Sequence, residues 1–262
     1  MVQARAMRHI YFSPHLDDAI LCAGGLIHEQ RQRGELVEIW TIMAGIPRRH
    51  AFSDLAREQH SLWGVSSGAQ AMRLRREEDR AAAATLGART RHMAFLDCIY
   101  RSDDSGRWLY MDIFAKPHSA DRELTTAIRR QLSARLRADD KLYCTLGIGR
   151  HVDHVLVRRA VERLGWPVAF LADIPYALQS GKLERAGAET AGLSVEVLPV
   201  SDRALGAWVR AAAKYGSQIP QLFGSRAMLA DALRKWVVFN GGLRLWRFQP
   251  PKSLGLARRR EL

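Results

Sequence analysis

The sequence contains few cysteines, and their placement excludes two classes of small protein. Cys22, Cys98 and Cys144 lie far apart and are odd in number, so they cannot form a complete disulfide framework. They also lack the Cys-x-x-Cys spacing of zinc knuckles, which favours a reducing compartment. We interpret Cys22, which stands between Leu21 and Ala23, as a buried structural thiol rather than a nucleophile.

Signals for export or membrane insertion are also missing. The first eight residues contain no apolar stretch of the signal-peptide type, and no apolar run approaches the length that spans a bilayer. We therefore expect a soluble, cytoplasmic protein. The sequence has no internal repeat, low-complexity tract or evident linker, and 262 residues suffice for one large α/β domain. We predict a single domain over residues 1–262.

Acidic residues are outnumbered by basic ones. The chain has 27 aspartates and glutamates against 40 lysines and arginines, for a formal net charge of +13. The arginines are spread along the chain, apart from Arg258, Arg259 and Arg260, and we interpret them as a solvated surface. Attraction to an anionic substrate or a membrane surface is the alternative. Zinc-finger spacing, RNA-binding signatures and a compact basic aromatic stripe are missing, so no specific nucleic-acid partner is expected.

Short runs of branched and aromatic residues alternate with helical stretches over most of the chain. The predicted strands cover residues 8–12, 36–43, 92–96, 141–145, 167–172 and 194–198. The predicted helices cover residues 19–33, 73–86, 121–136, 154–164 and 202–215. This alternation predicts an α/β fold, a Rossmann-like three-layer sandwich with a mostly parallel sheet and ligands bound at the C-terminal edge of its strands.

Two segments fall outside this alternation. Residues 44–70 carry few strand signals, and we predict a long loop with short helical pieces beside a substrate pocket. Residues 236–239 and 243–246 are apolar and aromatic and flank Asn-Gly-Gly, which predicts a β-hairpin within about residues 202–250. We expect the hairpin to pack on the domain; base stacking or a membrane-facing edge is the alternative.

Two clusters of histidine and aspartate follow predicted strands. His15, Asp17 and Asp18 come just after the first strand, and His151 and His154 follow the fourth. Such strand ends converge at one edge of a parallel sheet. Histidine and carboxylate are ligands of hydrolytic zinc sites, which use three protein ligands and leave one position open. The clusters offer more groups than a metal needs, and the surplus suits acid–base work in a metal-assisted hydrolysis.

These clusters carry a resemblance to a known family. Residues 13–18, Ser-Pro-His-Leu-Asp-Asp, followed by two glycines, resemble the first motif (His-Pro-Asp-Asp type) of the PIG-L/LmbE-like zinc-dependent N-deacetylases. Residues 151–154, His-Val-Asp-His, resemble their second motif (His-Pro-Asp-His type). Residues 75–87 resemble the Arg-x-x-Glu helix of the family, and residues 95–97 resemble its next strand end. The prolines of both motifs are replaced, by Leu16 and Val152, without loss of a chemical group.

The resemblance implies a role for each polar residue of the two motifs. It makes His15, Asp18 and His154 the ligands of a metal, with Zn²⁺ expected and Fe²⁺ as the alternative. It makes Asp17 the general base and His151 the group that stabilises the oxyanion or protonates the leaving amine.

Several of these residues also have a structural interpretation. Asp17 and Asp18 could cap the helix that follows them. Asp153 is expected to point away from the metal, either as a partner of a ligand or as a helix cap.

Four further residues are candidates for substrate binding: Arg75, Asp97, Arg101 and Arg150. Arg75 could instead form only a surface pair with Glu78, and Asp97 could be only a cap. Gly149 stands where some relatives have a tyrosine that helps to hold the oxyanion. We therefore expect Arg150 or Arg101 to supply that donor.

The resemblance implies a hydrolase that removes an N-acetyl or other N-acyl group from an amino sugar or glycoconjugate. Two alternatives stay open: a non-catalytic sugar- or anion-binding module with a vestigial metal site, and a basic nucleic-acid-binding protein. A peripheral membrane contact and a homo-oligomer are left open as well.

Overall fold

A computed structural model describes residues 7–48, 51–179 and 181–248, with a seven-stranded sheet at the centre. The strands are β1 (Arg8–Ser13), β2 (Leu36–Thr41), β3 (Arg89–His92), β4 (Lys141–Thr145), β5 (Val168–Leu171), β6 (Leu193–Leu198) and β7 (Leu243–Phe248). Their order is β3-β2-β1-β4-β5-β7-β6; the first five are parallel, and β7 is antiparallel to both neighbours. The predicted α/β fold with a mostly parallel sheet is confirmed.

Helices cover both faces of this sheet. They are α1 (Asp18–Gln32), α2 (Asp54–Leu62), α3 (Gly68–Leu86), α4 (Arg122–Ser133), α5 (Val152–Glu162), α6 (Gly187–Thr190), α7 (Asp202–Ala212), α8 (Ile219–Phe223) and α9 (Arg226–Asn240). Helices α1, α3 and α7 pack on one another, whereas α4 packs on α5. Within the described ranges, none of the helices is long and apolar enough to cross a membrane.

The strand order places a crevice at the middle of the sheet. From β1 the chain runs through α1 to β2 on one side, and after β3 it returns to β4 on the other side of β1. The connections that leave the carboxyl ends of β1 and β4 therefore run apart, and such a point is where open α/β sheets bind ligands. Both histidine–aspartate clusters lie at this point.

Helix α1, which begins at the first cluster, is anchored by a close approach to α7. Trp208 of α7 is fully buried, and its indole N–H donates a 2.6 Å hydrogen bond to the carbonyl of Ile20. A Cβ atom on Gly24 would overlap the Trp208 ring, so this turn of α1 has room only for glycine. The glycine pair that follows the first motif thus sets the packing distance of the helix that carries Asp18.

The predicted hairpin over residues 236–246 is wrong. Residues 236–239 lie in α9, which begins after Ser225, whose hydroxyl accepts a hydrogen bond from the Met228 N–H. The helix ends at Gly241, where φ is 67°, so the Asn-Gly-Gly sequence is a helix stop rather than a hairpin turn. Only the second half of the pattern is a strand, β7, and its partners are β5 and β6.

Other predicted boundaries shift as well, most of all in β3 and α3. The strand predicted at 92–96 is observed at Arg89–His92, an edge strand whose side chains are half exposed and therefore lack an apolar signal. Helix α3 begins at Gly68, ahead of the predicted residue 73, because the Ser67 hydroxyl caps its N-terminus. The predicted loop over 44–70 contains α2 and the start of α3. Its residues 49 and 50 lie outside the described residues.

Candidate active site

The two histidine–aspartate clusters meet between the ends of β1 and β4. Asp17 stands at the N-cap position of α1, yet its carboxylate makes no capping hydrogen bond to the described part of that helix. Capping therefore does not account for Asp17, and its side chain is available in the crevice. At the start of α5 the cap is His151, whose Nδ1 accepts the backbone N–H of Asp153.

Three side-chain atoms form a nearly regular triangle at the centre of the site. The His15 Nδ1, Asp18 Oδ2 and His154 Nε2 atoms are each 3.3 Å from the other two. Ligands about 2.0–2.1 Å from a tetrahedral zinc are about 3.3–3.4 Å apart, so this donor set has the spacing that one such ion needs.

Each histidine of this triangle has a carboxylate behind it. The His15 Nε2 atom lies 3.1 Å from Asp153 Oδ2, and the His154 Nδ1 atom lies 2.6 Å from Asp173 Oδ1. Metal-binding histidines in proteins are oriented in this way by a carboxylate on the second ring nitrogen. Asp153 is thus a partner of His15 and not a helix cap.

The charges around the triangle favour a cation. Burial lowers the pKa of His15, but Asp153 and Asp18 outweigh burial and hold that pKa well above its usual value. Burial likewise lowers the pKa of His154, whereas Asp18 and Asp173 raise it, to a net value of about 9. Burial opposes ionisation of Asp18, but the two histidines hold its pKa well below the usual range. Two imidazoles and a carboxylate that stabilise positive charge fit a divalent metal.

Asp17 lies beside the triangle in a different environment. Burial raises the pKa of its carboxyl to about 6, Arg75 opposes that rise, and neighbouring Asp18 adds to it. Its Oδ1 atom is 3.5 Å from the Arg75 guanidinium. The adjacent aspartates therefore differ in acidity, because both histidines hydrogen-bond to Asp18, whereas burial dominates at Asp17.

His151 is held as a neutral imidazole. Burial lowers its pKa well below the usual value, and the neighbouring His15 and His154 lower it further. Because its Nδ1 accepts the Asp153 N–H at 3.2 Å, the proton of the neutral ring resides on Nε2. The ring packs edge-on against His15, with centroids 4.6 Å apart. His151 therefore presents a hydrogen-bond donor beside the triangle.

Arg75 and Asp97 line the same cavity. The Arg75 guanidinium lies between Asp17 and Asp97, at 3.5 and 3.9 Å, and its Cζ atom is 4.8 Å from the centroid of the Trp63 ring. Asp97 also accepts the Ile99 N–H, as a cap of the short 3₁₀ turn Cys98–Tyr100. Asp97 therefore caps this turn and also lines the cavity, and Arg75 is part of the cavity wall rather than of a surface pair.

Two candidates do not reach the cavity. Arg101 is buried behind it, with its Nη1 atom 2.6 Å from Asp153 Oδ1 and its Nε atom 2.9 Å from Asp121 Oδ2. The side chain of Arg150 is 73% exposed and lies 3.5 Å from Glu189. Arg150 has a φ of 63°, which turns the chain at a point where glycine is favoured. The expected donor at Arg101 or Arg150 is therefore not found at the site.

The cavity has a volume of about 310 Å³ and includes residues that the sequence analysis missed. Tyr176 is one: its ring lies over Gly149, where a Cβ atom would come within 2.7 Å of the ring. Burial raises its pKa, and the carboxylates of Asp18 and Asp17 raise it further, so the hydroxyl stays protonated. Asp173 was missed as well, although it follows the end of β5 as the other acids follow β1 and β4.

A comparison with protein families assigns the part of the chain that holds both clusters. Residues 10–164, more than half of the sequence, match the family described as PIG-L: GlcNAc-PI de-N-acetylase. The chain belongs to the PIG-L family. The matched residues span β1 to α5 and thus contain the triangle, Asp17 and His151.

Individual relatives extend the match to the whole fold. The chain is 27% identical over 235 residues to 2'-N-acetylparomamine deacetylase of Niallia circulans, covering 83% of each protein. It superposes on the zinc-inhibited form of teicoplanin deacetylase Orf2 with a TM-score of 0.79 and 29% identity, covering 94% of this chain and 100% of that one. For the A40926 pseudoaglycone deacetylase Dbv21, the TM-score is 0.73 and the identity 29%, with 93% and 97% covered. This PIG-L family chain is a deacetylase, and its site is built to bind a metal.

Proposed function

We propose that this PIG-L family chain removes the N-acetyl group of an amino sugar on a glycoconjugate, with a zinc ion in the triangle of His15, Asp18 and His154. The observation that carries the proposal is the 3.3 Å spacing of those three donor atoms, with Asp17 and His151 beside them. Iron(II) is the alternative ion, because two imidazoles and one carboxylate also suit it. When bound, the metal would polarise the amide carbonyl and make water a stronger nucleophile.

Asp17 is the proposed general base. A carboxyl with a pKa of about 6 is ionised at neutral pH and is still basic enough to accept a proton from water. The Arg75 guanidinium lies 3.5 Å from Oδ1 and orients this carboxylate, which stays ionised. The proton that Asp17 accepts can then pass to the nitrogen of the amino sugar as its bond to the acyl carbon breaks, which frees the sugar amine and releases acetate.

His151 and Tyr176 are the proposed donors to the acyl oxygen. Both residues line the cavity, neutral His151 has its proton on Nε2 and the Tyr176 hydroxyl is protonated, and charge develops on the acyl oxygen as water adds. Tyr176 would thus take the role that we expected of Arg101 or Arg150. It reaches the site from the segment after β5 and not from the second motif.

The substrate class follows from the relatives and from the cavity. The relatives named above are deacetylases of 2'-N-acetylparomamine, of teicoplanin and of the A40926 pseudoaglycone. In this chain the cavity wall combines Trp63 with the amides of Gln59, Gln218 and Gln221, which suits an apolar sugar face and its hydroxyl groups. We therefore propose a 2-acetamido sugar attached to an aglycone.

The test is metal reconstitution followed by an assay for free amine. The chain is stripped with a chelator, given one equivalent of Zn²⁺ or Fe²⁺, and incubated with N-acetylglucosamine glycosides. The amount of zinc is limited to one equivalent, because one related deacetylase was solved in a zinc-inhibited form. Activity should return with the metal. In Asp17→Asn, kcat should fall at least about 100-fold while the metal is retained. Full activity of Asp17→Asn, or of the stripped chain, would contradict the proposal.

A further inference from the structure

An exposed apolar groove adjoins the active-site cavity, and none of the proposed chemistry uses it. It lies between α9 and the segment that follows Tyr176, and we call it the α9 groove. Its volume is about 960 Å³, and its apolar lining includes Leu178, Leu183, Leu222, Met228, Ala232 and Phe239. Neighbouring exposed apolar side chains of this kind suit a binding surface.

The outer face of α9 explains why the groove is apolar. Met228, Ala232 and Phe239 recur at helical spacing along one side, while Leu229 and Leu233 pack into the core from the other. Met228 is 60% and Phe239 79% exposed, and neighbouring Val238 is 80% exposed. The helix is therefore apolar on a face that the described fold leaves open. We expected these aromatic residues to pack on the domain, which Trp236 does and Phe239 does not.

The groove shares part of its lining with the cavity where an amino sugar would bind. Leu222 and Gln179 line both the α9 groove and the cavity that holds the triangle. A molecule that extends out of the cavity past Leu222 therefore comes to the edge of the α9 groove. The charged residues at the rim are of both signs, with Arg234 and Lys235 against Asp231 and Glu184, and Lys235 pairs with Asp231 at 2.8 Å. This balance favours a neutral apolar occupant over a highly charged one.

We infer that the α9 groove binds an apolar group attached to the substrate itself, such as an alkyl or aryl aglycone of the acetamido sugar. The inference rests on the proposed function, since it assigns the direction in which the aglycone leaves the cavity. An aglycone held there loses contact with water against Leu222 and Phe239 and anchors the sugar at the triangle. The groove thus makes the chain selective for glycosides with an apolar aglycone.

The test compares two substrates that differ only in the aglycone. Methyl and octyl 2-acetamido-2-deoxyglucosides are assayed below the micelle concentration of the octyl compound. Burial of several methylene groups should lower KM for the octyl glycoside at least about tenfold relative to the methyl glycoside. In Phe239→Ser this preference should fall by about tenfold. The matched control is Val195→Ser, an exposed apolar residue of β6 outside the groove lining, which should keep the preference.

Binding measured without turnover separates this inference from the proposed function. Calorimetry with octyl and methyl glucoside, which carry no acetamide, should show tighter binding of the octyl compound and loss of that difference in Phe239→Ser. If neither acetamido glycoside is hydrolysed but octyl glucoside binds in this way, the proposed function fails and the groove stands. Hydrolysis of both glycosides with equal KM would contradict the inference that the α9 groove binds the aglycone.

Two other occupants give their own outcomes. An octyl preference that appears only in the presence of micelles or phospholipid vesicles would show a membrane contact instead. A second copy of the chain would appear as a dimer in light scattering that Phe239→Ser dissociates. Either result contradicts an aglycone site.

Discussion

Arg101 and Asp153 form a buried ion pair with 2.6 Å between Nη1 and Oδ1, and the other oxygen of Asp153 lies 3.1 Å from His15 Nε2. The arginine therefore acts on the triangle from behind, through Asp153, and its Nε atom is held in turn by Asp121 at 2.9 Å. Asp121 also accepts a 2.6 Å hydrogen bond from the Tyr110 hydroxyl. Arg101, which we expected to contact the substrate, instead supports His15 of the triangle.

This relationship predicts a metal-binding defect in Arg101→Met. Without the guanidinium, Asp153 loses its charged partner and no longer fixes the His15 ring, so zinc affinity should fall about 10- to 100-fold. Competition with a chromogenic chelator measures the affinity. Arg101→Lys keeps a positive charge at this position and should recover part of it. A raised KM at unchanged zinc affinity would mean that Arg101 contacts the substrate after all.

The Tyr176 hydroxyl should contribute to catalysis more than to binding. In Tyr176→Phe the ring still packs on Gly149, but one donor to the acyl oxygen is lost, so kcat should fall about 100-fold with little change in KM. Steady-state kinetics on an acetamido glycoside separates the two constants. Phe114→Leu is a control, because Phe114 lines the cavity without a hydroxyl and packs on Tyr176 with centroids 5.8 Å apart. An unchanged kcat in Tyr176→Phe would exclude the Tyr176 hydroxyl as a donor to the acyl oxygen.

The contact between Gly24 and Trp208 predicts a stability difference between two glycines. Gly24→Ala should lower the free energy of unfolding by about 1–3 kcal/mol, because the new methyl group must displace the fully buried Trp208 ring. Gly206→Ala, in α7, meets only the flexible end of Arg210 and should raise stability by up to about 1 kcal/mol. Urea unfolding followed by circular dichroism compares them. Equal effects would show that α1 and α7 can move apart at no cost.

The ion pair between Arg8 and Asp140 makes stability depend on pH. Burial raises the pKa of Asp140, but hydrogen bonds from Arg8 at 2.7 and 2.5 Å, the Arg137 N–H and the charges of both arginines together outweigh burial and lower that pKa below the usual value. The carboxylate thus stabilises the fold above its unfolded pKa of about 4, and this contribution disappears as pH falls through the lower folded value.

The variant Asp140→Asn tests that sign. It should be less stable than the parent chain by roughly 1–2 kcal/mol at pH 7, and the difference should shrink below about pH 4. Asp231→Asn removes an exposed pair with Lys235 and should change stability by less than about 0.5 kcal/mol at either pH. A difference that is constant from pH 7 to pH 3 would rule out the ion pair as its cause.

The sequence predicted the parts of the site that depend on local pattern. Strand β4 has the predicted bounds, and both clusters lie at strand ends because apolar runs and the residues after them are adjacent in the chain. The roles of Arg101 and Tyr176 could not be predicted this way. Arg101 is turned from the cavity by Asp121 and Asp153, and Tyr176 reaches the cavity from the loop after β5. Both depend on contacts between distant segments.

The error at α9 has a different origin. Trp-Val-Val-Phe before Asn-Gly-Gly satisfies the pattern of a strand and turn, and only the Ser225 cap and the packing of Leu229 and Leu233 select a helix. Locally, such a sequence is compatible with a strand or with a helix, and tertiary contacts decide which of the two forms. The same apolar residues that misled the prediction are those that the helix exposes in the α9 groove.

The residues of the proposed chemistry and those of the α9 groove lie in different parts of the sequence. Every atom of the triangle, with Asp17 and His151, comes from residues before the end of α5, whereas Tyr176, Gln218 and the α9 groove come from the segment after it. The second segment also carries Asp173, the partner of His154, and Tyr176, so an exchange that keeps the proposed chemistry has to retain these two residues. Chimaeras joined after Tyr176 keep both residues and replace the lining of the α9 groove, which makes them the route to deacetylases with new substrates.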